Sequence, residues 1–264
     1  MYPTIFGFID SYAVFLGLGV VASLVLFEIY FRKILKENPA KIFYLEILLA
    51  FALVFGMLGA YLVQNFYDFI QDPSHYSWSW RSTFFGGLIF GVGGFILAFF
   101  LFVRKRYPDG LMKIVVITPA SVALAHAFGR IGCFMDGCCY GKVSDAWYAM
   151  YFPVLQKTVI PTQLFEAIFL FILSALLILI AFKKRSLYTI PVYAMSYGVW
   201  RFLIEFLRDD YRGSLIPGIS PSQFWALVLF VGGAAVLVLL MVKRSKAQAK
   251  ASDSGKTESY IDHE

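Results

Sequence analysis

Charged side chains are scarce in this sequence. They make up 15% of the 264 residues, whereas soluble domains carry roughly 25%, and hydrophobic residues make up 59%. A soluble chain of this length would also bury a large core, but it would not contain repeated apolar runs of about 20 residues, the length that crosses ~30 Å of hydrocarbon. The composition therefore excludes an ordinary soluble protein and indicates an integral membrane protein.

Lys and Arg are absent from the N-terminal end and otherwise occur mostly in short clusters. The first ten residues contain Asp10 but no basic residue, so they lack the positive region of a cleavable signal peptide, and we expect the first helix to remain in the mature protein. The net charge of +6 comes largely from clusters between apolar runs. Membrane orientation accounts for such clusters, and we expect no nucleic-acid partner.

The apolar residues form seven runs that are each long enough to span a bilayer. The runs lie at 11–31, 42–66, 84–103, 112–132, 161–182, 188–207 and 221–242. Sixteen of the 23 Lys and Arg residues fall in alternate connections and the C-terminal tail, five fall in the other connections, and Arg130 and Arg201 lie within runs. By the positive-inside rule, this predicts an all-α integral membrane protein with seven transmembrane helices, its N-terminus outside and its C-terminus in the cytoplasm.

The segment after the last run is polar and rich in small residues. Such a segment cannot bury enough apolar area to offset the entropy of ordering it. We therefore predict one seven-helix membrane domain over residues 1–243 and a disordered cytoplasmic tail over residues 244–264. On the outer side, Trp147, Tyr148 and Tyr151 are expected in the interfacial aromatic belt.

Arg130 and Arg201 are the strongest site signal, because an arginine inside a membrane costs at least a few kcal/mol unless it has a partner or a function. Arg130 lies between Gly129 and Gly132, and glycines there would let backbone amides approach an anionic ligand. Guanidinium groups match phosphate oxygens bidentately. Two arginines from different helices therefore suggest a clamp for a lipid phosphate.

Arg201 has a second, simpler interpretation. Tyr197, Arg201, Glu205 and Arg208 follow spacings of four, four and three residues, which place them on one helix face. Instead of a clamp, this face could hold an intrahelical ion pair between Arg201 and Glu205, with Arg208 snorkelling to the membrane interface.

The segment from Gly129 to Gly141 reads Gly-Arg-Ile-Gly-Cys-Phe-Met-Asp-Gly-Cys-Cys-Tyr-Gly. It resembles the signature of the bacterial prolipoprotein diacylglyceryl transferases. The resemblance continues in order through residues 161–166, 197–208 and 220–223, and it includes Tyr12 and the third-helix segment 83–89. It thus covers most of the chain, and the family's seven helices and outward N-terminus agree with the charge pattern.

Members of this family move a diacylglyceryl group from phosphatidylglycerol to the thiol of a lipobox cysteine in a secreted prolipoprotein, and they release glycerol phosphate. The resemblance implies the same activity here, in the bacterial cytoplasmic membrane, with the site facing the outer leaflet. The implied partners are phosphatidylglycerol or a related anionic phospholipid, a prolipoprotein and membrane lipids. No metal or other cofactor is implied.

The family's functional residues carry over by position. Arg130 and Arg201 would hold the phosphate and stabilise the charge that develops on the departing glycerol phosphate. Glu205 would orient Arg201, while Tyr12 and Tyr197 would donate hydrogen bonds in the cavity. The other residues expected to bind substrate are Gly86, Gly87, Asp136, Gly141, Gln163 and Gln223.

Several of these matched residues also have simpler interpretations. Asp136 is equally well a solvated loop acid. Gln163 and Glu166 follow Pro161 at the start of the fifth helix, where helix capping accounts for them.

The sequence departs from the family pattern at chemically important positions. Phe85 stands where studied members have a histidine discussed as the acceptor of the thiol proton, and Met57 replaces an arginine. A thiol with a pKa near 8.5 needs activation, and phenylalanine cannot take a proton, so the base is unassigned. His126 is the only histidine on a predicted membrane helix near Arg130, and it is interpreted as a core residue. The alternative function is a catalytically silent lipid-binding membrane protein.

All three cysteines of the chain, Cys133, Cys138 and Cys139, lie within seven residues, and Cys133 and Cys138 replace the signature's asparagine and glutamate. Small buried residues, with or without one disulfide, are one interpretation. A functional thiol near Arg130 is another, with Cys138 as an acceptor, relay or redox group, which would make the chain a thiol or redox membrane protein. Metal binding is a third, although Cys-x4-Cys-Cys without an adjacent histidine matches zinc spacing poorly.

Overall fold

A computed structural model of the protein describes residues 4–5, 8–79, 84–209 and 219–261, excluding the side chains of residues 5, 71, 84, 85, 88 and 249–261. The helices in this part are α1 Ser11–Ile29, α2 Pro39–Gln71, α3 Phe84–Ala98, α4 Gly110–Asp136, α5 Thr162–Lys184, α6 Thr189–Ile204 and α7 Pro221–Ile261. Two short antiparallel pairs join β1 Thr4–Ile5 to β2 Ile9–Asp10 and β3 Met150–Phe152 to β4 Lys157–Val159.

Each of the seven apolar runs overlaps one of these helices. Five of the described helices, α1, α2, α4, α5 and α7, are long and apolar enough to cross a membrane. The α3 run continues through a π turn to Val103 and gives a shorter apolar helix, and α6 has 16 residues before a 3-10 turn at Glu205–Leu207. The protein is therefore a mostly helical membrane protein, and the exact count of seven spans stays a prediction.

Helix α7 continues past the last apolar run. It extends to Ile261, into the segment 244–264 for which the sequence predicts a disordered cytoplasmic tail. The described side chains of residues 243–248 are exposed, and isolated helices gain most of their stability from packing an apolar face. The division into a membrane domain and a tail stays a prediction.

The chain divides into two compact units, residues 28–114 and residues 1–27 with 115–264. In the first unit, α2 and α3 pack through glycines. A Cβ added at Gly59 would lie 2.3 Å from Phe90 Cβ, and one added at Gly86 would lie 2.5 Å from Gly59 O and 2.8 Å from Val63 Cβ. A Cβ at Gly91 would lie 3.2 Å from Ala52 O. Small residues that let two backbones approach closely are the usual basis of helix packing in membranes.

The same unit contains a polar cluster at the start of α2 and α4. Asn38 caps α2 by accepting a hydrogen bond from Ala40 N at 2.9 Å. Glu37 contacts Lys113 Nζ at 2.6 Å. Burial raises the pKa of the Glu37 carboxyl, but hydrogen bonds from Lys113 and Tyr107 outweigh burial and hold the pKa below its ordinary value.

In the second unit, α4 receives hydrogen bonds from three neighbouring helices. Ser23 Oγ on α1 donates to Ser121 O at 2.8 Å, Ser174 Oγ on α5 donates to Ala120 O at 2.9 Å, and Thr189 Oγ1 on α6 donates to Val116 O at 2.9 Å. Pro119 lies inside this part of α4. Hydrogen bonds from hydroxyl groups to backbone carbonyls hold neighbouring helices together in membranes.

Helices α6 and α7 also pack closely in this unit. A Cβ added at Gly198 would lie 2.8 Å from Ala226 O, and one added at Gly233 would lie 2.8 Å from Ala194 Cβ. These contacts place the polar face of α6 beside the first turn of α7.

The connection between α4 and α5 lies at the C-terminal end of α4 in this unit. It contains the β3–β4 hairpin, and Val143 pairs with Val159 at its edge. Trp147 is 94% exposed, and Tyr148 and Tyr151 are also exposed. Exposed aromatic residues fit the predicted interfacial belt, which stays a prediction.

Candidate active site

The signature segment forms the last turns of α4 and the turn that follows. Gly137 N donates to Phe134 O at 3.2 Å and Cys138 N donates to Cys133 O at 3.1 Å, which is the Schellman pattern of a helix C-terminus. Gly137 has φ 78°, a value that favours glycine, and Cys139 also has a positive φ of 60°. The chain therefore reverses sharply after Asp136 and returns Cys138 and Cys139 to the end of α4.

Side chains of α5 fix this turn. Thr162 Oγ1 donates to Cys139 O at 3.0 Å, and the Gln163 amide nitrogen donates to Cys138 O. Gly141 N donates to Ile160 O at 2.9 Å, and a Cβ on Gly141 would lie 2.6 Å from Leu207 O. Gln163 and Gly141, both expected to bind substrate, thus position the wall of the site, and their contact with substrate stays a prediction.

Glu166 of α5 is the centre of the site. Its side chain is 1% exposed, and its Oε2 lies 3.0 Å from Arg130 Nε on α4. Its Oε1 accepts a hydrogen bond from Tyr197 Oη on α6 at 2.9 Å. The helix-cap interpretation of Glu166 is therefore wrong, because the carboxylate joins three helices and compensates the charge of a buried guanidinium.

The Arg130 guanidinium is buried but only half engaged. Its side chain is 13% exposed, and its contact with Glu166 uses Nε. Among the described residues, the terminal nitrogens of Arg130 make no hydrogen bond. Two N–H-bearing nitrogens in a fixed plane are thus left for an anion such as a phosphate.

His126 lies one helical turn before Arg130 and faces the same network. Its Nε2 is 3.9 Å from Glu166 Oε1, and its ring packs edge-on against Tyr197 with centroids 5.3 Å apart. The side chain is 30% exposed. Packing against Tyr197 agrees with the interpretation of His126 as a core histidine, which stays a prediction, and the nearby Glu166 also makes the ring a candidate proton acceptor.

Arg201 and Glu205 form a second ion pair that is tied to α7. Arg201 Nη1 lies 2.8 Å from Glu205 Oε2, and Arg201 Nη2 donates to Ser222 Oγ at 2.8 Å. Ser220 Oγ donates to Glu205 Oε1 at 2.7 Å. Both the predicted orientation of Arg201 by Glu205 and the simpler ion pair fit this geometry. Arg201 is more fully engaged than Arg130, so the two arginines are not equivalent.

Ser220 and Gln223 form a capping box at the start of α7. Ser220 N donates to Gln223 Oε1 at 3.0 Å, and Gln223 N donates to Ser220 Oγ at 3.2 Å. Pro221 occupies the first helical position. Gln223, expected to bind substrate, thus has a structural role in holding Ser222 and Ser220 against the Arg201 pair.

Arg208 does not snorkel to the interface. Its side chain is 3% exposed, its Nε lies 3.7 Å from Glu205 Oε2, and its backbone pairs with Gly141. The snorkelling alternative is therefore wrong, because the 3-10 turn after α6 directs Arg208 into the site.

The three cysteine sulfurs lie within 4.8 Å of one another and are free thiols. Hydrogen bonds from Cys133 and Cys138, helped by Arg208, hold the pKa of Cys139 below its ordinary value. Tyr12, in the first turn of α1, packs against Gly132 near this cluster, and a Cβ added at Gly132 would lie 3.1 Å from Tyr12 Cδ2. Cys138 is thus one member of a three-sulfur group.

The remaining predicted residues lie elsewhere. Asp136 ends α4 and is exposed, with no hydrogen bond of its side chain among the described residues. Gly86 and Gly87 belong to the other compact unit, where they contact α2. Met57 lies on α2 in that unit and is exposed. The side chain of Phe85 lies outside the described part of the chain.

The helices define a multi-pass membrane protein, and its candidate functional site is the buried network of arginines, carboxylates and Tyr197 on α4, α5 and α6. The sequence model of the prolipoprotein diacylglyceryl transferase family matches residues 4–239. The chain belongs to this family.

Named relatives match most of the chain. A protein of Clostridium perfringens named phosphatidylglycerol–prolipoprotein diacylglyceryl transferase 2 is 30% identical over 94% of this chain and 97% of its own length. Phosphatidylglycerol–prolipoprotein diacylglyceryl transferases of Clostridium tetani and Bordetella avium are 32% and 34% identical over 85% and 73% of this chain, and over 90% and 74% of their own lengths.

Proposed function

We propose that this protein is a phosphatidylglycerol–prolipoprotein diacylglyceryl transferase of the bacterial cytoplasmic membrane. In the proposed arrangement it has seven spanning helices, an outward N-terminus and a cytoplasmic C-terminus, and its site opens to the outer leaflet. The names of its relatives support a transferase over a silent lipid-binding protein or a redox protein. The positive-inside pattern supports the orientation.

The half-engaged Arg130 guanidinium carries the proposal. Glu166 and Tyr197 hold Arg130 in place, and its terminal nitrogens are left to bind the lipid phosphate. In the reaction, the cysteine sulfur of the prolipoprotein forms a bond to the glycerol carbon, and the bond from that carbon to the phosphate oxygen breaks. Negative charge grows on the departing glycerol phosphate, and a fixed guanidinium in a water-poor site stabilises that charge.

The thiol proton needs an acceptor, and His126 is the residue that the site offers. Glu166 Oε1 lies 3.9 Å from His126 Nε2, and its negative charge offsets part of the cost that burial and the nearby Arg130 impose on a protonated ring. Arg201, held by Glu205 and Ser222, would contribute positive charge beside the same carboxylate. In this scheme the thiol proton passes to His126 while the sulfur attacks.

Complementation in a bacterium depleted of its own diacylglyceryl transferase tests the function. The wild-type chain is expected to restore growth and to add the mass of a diacylglyceryl group to a prolipoprotein. Arg130→Ala and Arg130→Lys are expected to fail, since neither side chain presents the paired N–H donors of a guanidinium. Arg104→Ala, at an exposed position outside the compact unit that contains Arg130, is the matched control and should remain active. Full modification by a well-expressed Arg130→Ala variant would refute the role of Arg130.

The role of His126 has its own test. The His126→Gln variant should bind phosphatidylglycerol normally but transfer slowly at neutral pH, and its rate should recover as rising pH ionises the acceptor thiol directly. The measurement is transfer to a lipobox peptide across a pH series. A variant with the wild-type pH profile would exclude His126 as the base.

A further inference from the structure

The three cysteines form a group that the proposed transfer reaction does not use. Their sulfur atoms all lie within 4.8 Å of one another, although the residues come from the last turn of α4 and from the turn that follows it. Each residue is partly exposed, so a small ion can reach the sulfurs from solvent. No other group of this kind occurs among the described residues.

The backbone around the sulfurs is fixed before any ligand binds. The Cys138 N–H bond to Cys133 O closes the helix end, and Thr162 and Gln163 hold the carbonyls of Cys139 and Cys138. A metal ion with metal–sulfur distances of ~2.3 Å needs sulfur atoms about 4 Å apart. The observed cluster therefore requires a contraction of less than about 1 Å, which side-chain rotation supplies.

The electrostatics favour a complex with negative charge. Metal binding requires thiolates, and three thiolates around a monovalent or divalent ion carry a net negative charge. Two largely buried guanidinium groups lie near the cluster, since Arg130 is three residues before Cys133 on α4 and the backbone of Arg208 pairs with Gly141, two residues after Cys139. No carboxylate or imidazole belongs to the group among the described residues, which disfavours ions that prefer oxygen ligands.

We infer that Cys133, Cys138 and Cys139 bind one soft, thiolate-preferring metal ion, Zn²⁺ or Cu⁺. Three thiolates complete a trigonal site for Cu⁺, while Zn²⁺ would add a water as the fourth ligand. Binding releases the protons of whichever thiols are not yet ionised, so affinity rises with pH. The ion would tie the end of α4 to the following turn beside Arg130, and this role does not depend on the transferase activity.

Titration of the purified full-length protein in detergent tests the site. After treatment with reductant and a chelator, Co²⁺ should produce thiolate-to-metal charge-transfer absorption that saturates at one ion per chain, and Zn²⁺ should abolish it. Cys133→Ser, Cys138→Ser and Cys139→Ser should each weaken binding by at least about 100-fold, since loss of a supporting group alone costs 10–100-fold. Tyr140→Phe, in the same turn, is the matched control and should bind normally.

A second measurement does not depend on the variants. Zn²⁺ or Cu⁺ should protect all three thiols of the wild-type protein from alkylation by iodoacetamide, as counted by mass spectrometry, and competition between the two ions identifies the preferred one. Absorption that persists without the cysteines, or unprotected thiols in the wild-type protein, would overturn the proposal. A mass two hydrogens lower after purification without reductant would also overturn it and would assign a disulfide instead.

Discussion

A buried arginine is tolerated when its charge is compensated and its donors are used. The charge of Arg130 is compensated by residues far away in the chain. Glu166 on α5 supplies the negative charge, and Tyr197 on α6 holds Glu166 in place. Removing one partner of a buried ion pair is strongly destabilising, by roughly 3–5 kcal/mol. The network therefore orients Arg130 while its terminal nitrogens stay available.

The Tyr197 hydroxyl can be removed without disturbing the packing of its ring. We expect Tyr197→Phe to slow diacylglyceryl transfer about tenfold or more, since a hydrogen bond to a charged group contributes roughly 1.5–3 kcal/mol. The measurement is the initial rate of lipid transfer to a lipobox peptide at saturating phosphatidylglycerol.

Tyr193→Phe provides the matched control. Tyr193 lies one turn earlier on α6, stacks on Tyr197 with centroids 5.9 Å apart, and makes no hydrogen bond among the described residues. Loss of the Tyr193 hydroxyl should leave the transfer rate within about twofold, because a change that breaks no hydrogen bond of the site costs little. Equal rates for the two variants would show that the contact with Glu166 is unimportant.

Some of the individual residues of the candidate site could be predicted from the sequence. Arg130 and Arg201 stood out because a charge inside an apolar run needs an explanation, and the helical spacing placed Tyr197, Arg201 and Glu205 on one face. Glu166 was missed because an acid in the first turns of a helix is also explained by capping. The signal that would have found it is the unpaired charge of Arg130, which requires an acid on a neighbouring helix.

At the scale of elements, glycine determines where two helices meet. Helices α2 and α3 approach so closely that a Cβ at Gly86 would overlap the Gly59 carbonyl oxygen and one at Gly59 would overlap the Phe90 side chain. The surroundings of the glycines differ along α3, since a Cβ at Gly86 would meet α2 whereas a Cβ at Gly93 would meet nothing within 4 Å. This difference gives a matched pair of substitutions on one helix.

Gly86→Ala should destabilise the protein by about 1–3 kcal/mol, because its Cβ would lie 2.5 Å from Gly59 O. Gly93→Ala meets nothing within 4 Å and should be neutral or stabilising by up to about 1 kcal/mol, as alanine favours a helix. The thermal unfolding midpoint in detergent measures both. Similar midpoints for the two variants would contradict the close packing of α2 and α3.

Helices were more predictable than their ends. The seven apolar runs located the helices because burial in hydrocarbon imposes a long apolar sequence. Helix α2 starts at Pro39 rather than at the apolar run, since the Asn38 cap extends it. The β3–β4 hairpin was not predicted, because strands of three residues carry too little periodicity.

At the scale of the whole molecule, orientation depends on charge rather than on contacts. The basic clusters lie in alternate connections, and by the positive-inside rule this pattern predicts that the signature turn after α4 lies on the outer side. Helices α3 and α6, with 15 and 16 residues, are the shortest of the seven described α-helices, so their crossings are the part of the topology that most needs a test.

Reporter fusions test this topology. Alkaline phosphatase, which is active only outside the cytoplasm, should be active when fused after residue 145 and inactive when fused after residues 37, 105, 186 or 245. Green fluorescent protein at the same positions should give the opposite pattern. Active phosphatase after residue 186, or after 245, would contradict the seven-span arrangement, and the signature turn would then need a new assignment.

The most direct test of the central claim is transfer by the purified protein. The wild-type chain, mixed in detergent with phosphatidylglycerol and a lipobox peptide, should add one diacylglyceryl group to the peptide cysteine and release an equal amount of glycerol phosphate, both measured by mass spectrometry. Arg130→Ala should lower the rate by about 100-fold or more, the loss typical of removing a group that stabilises developing charge. Absence of product from folded wild-type protein, or equal rates for both proteins, would contradict the account.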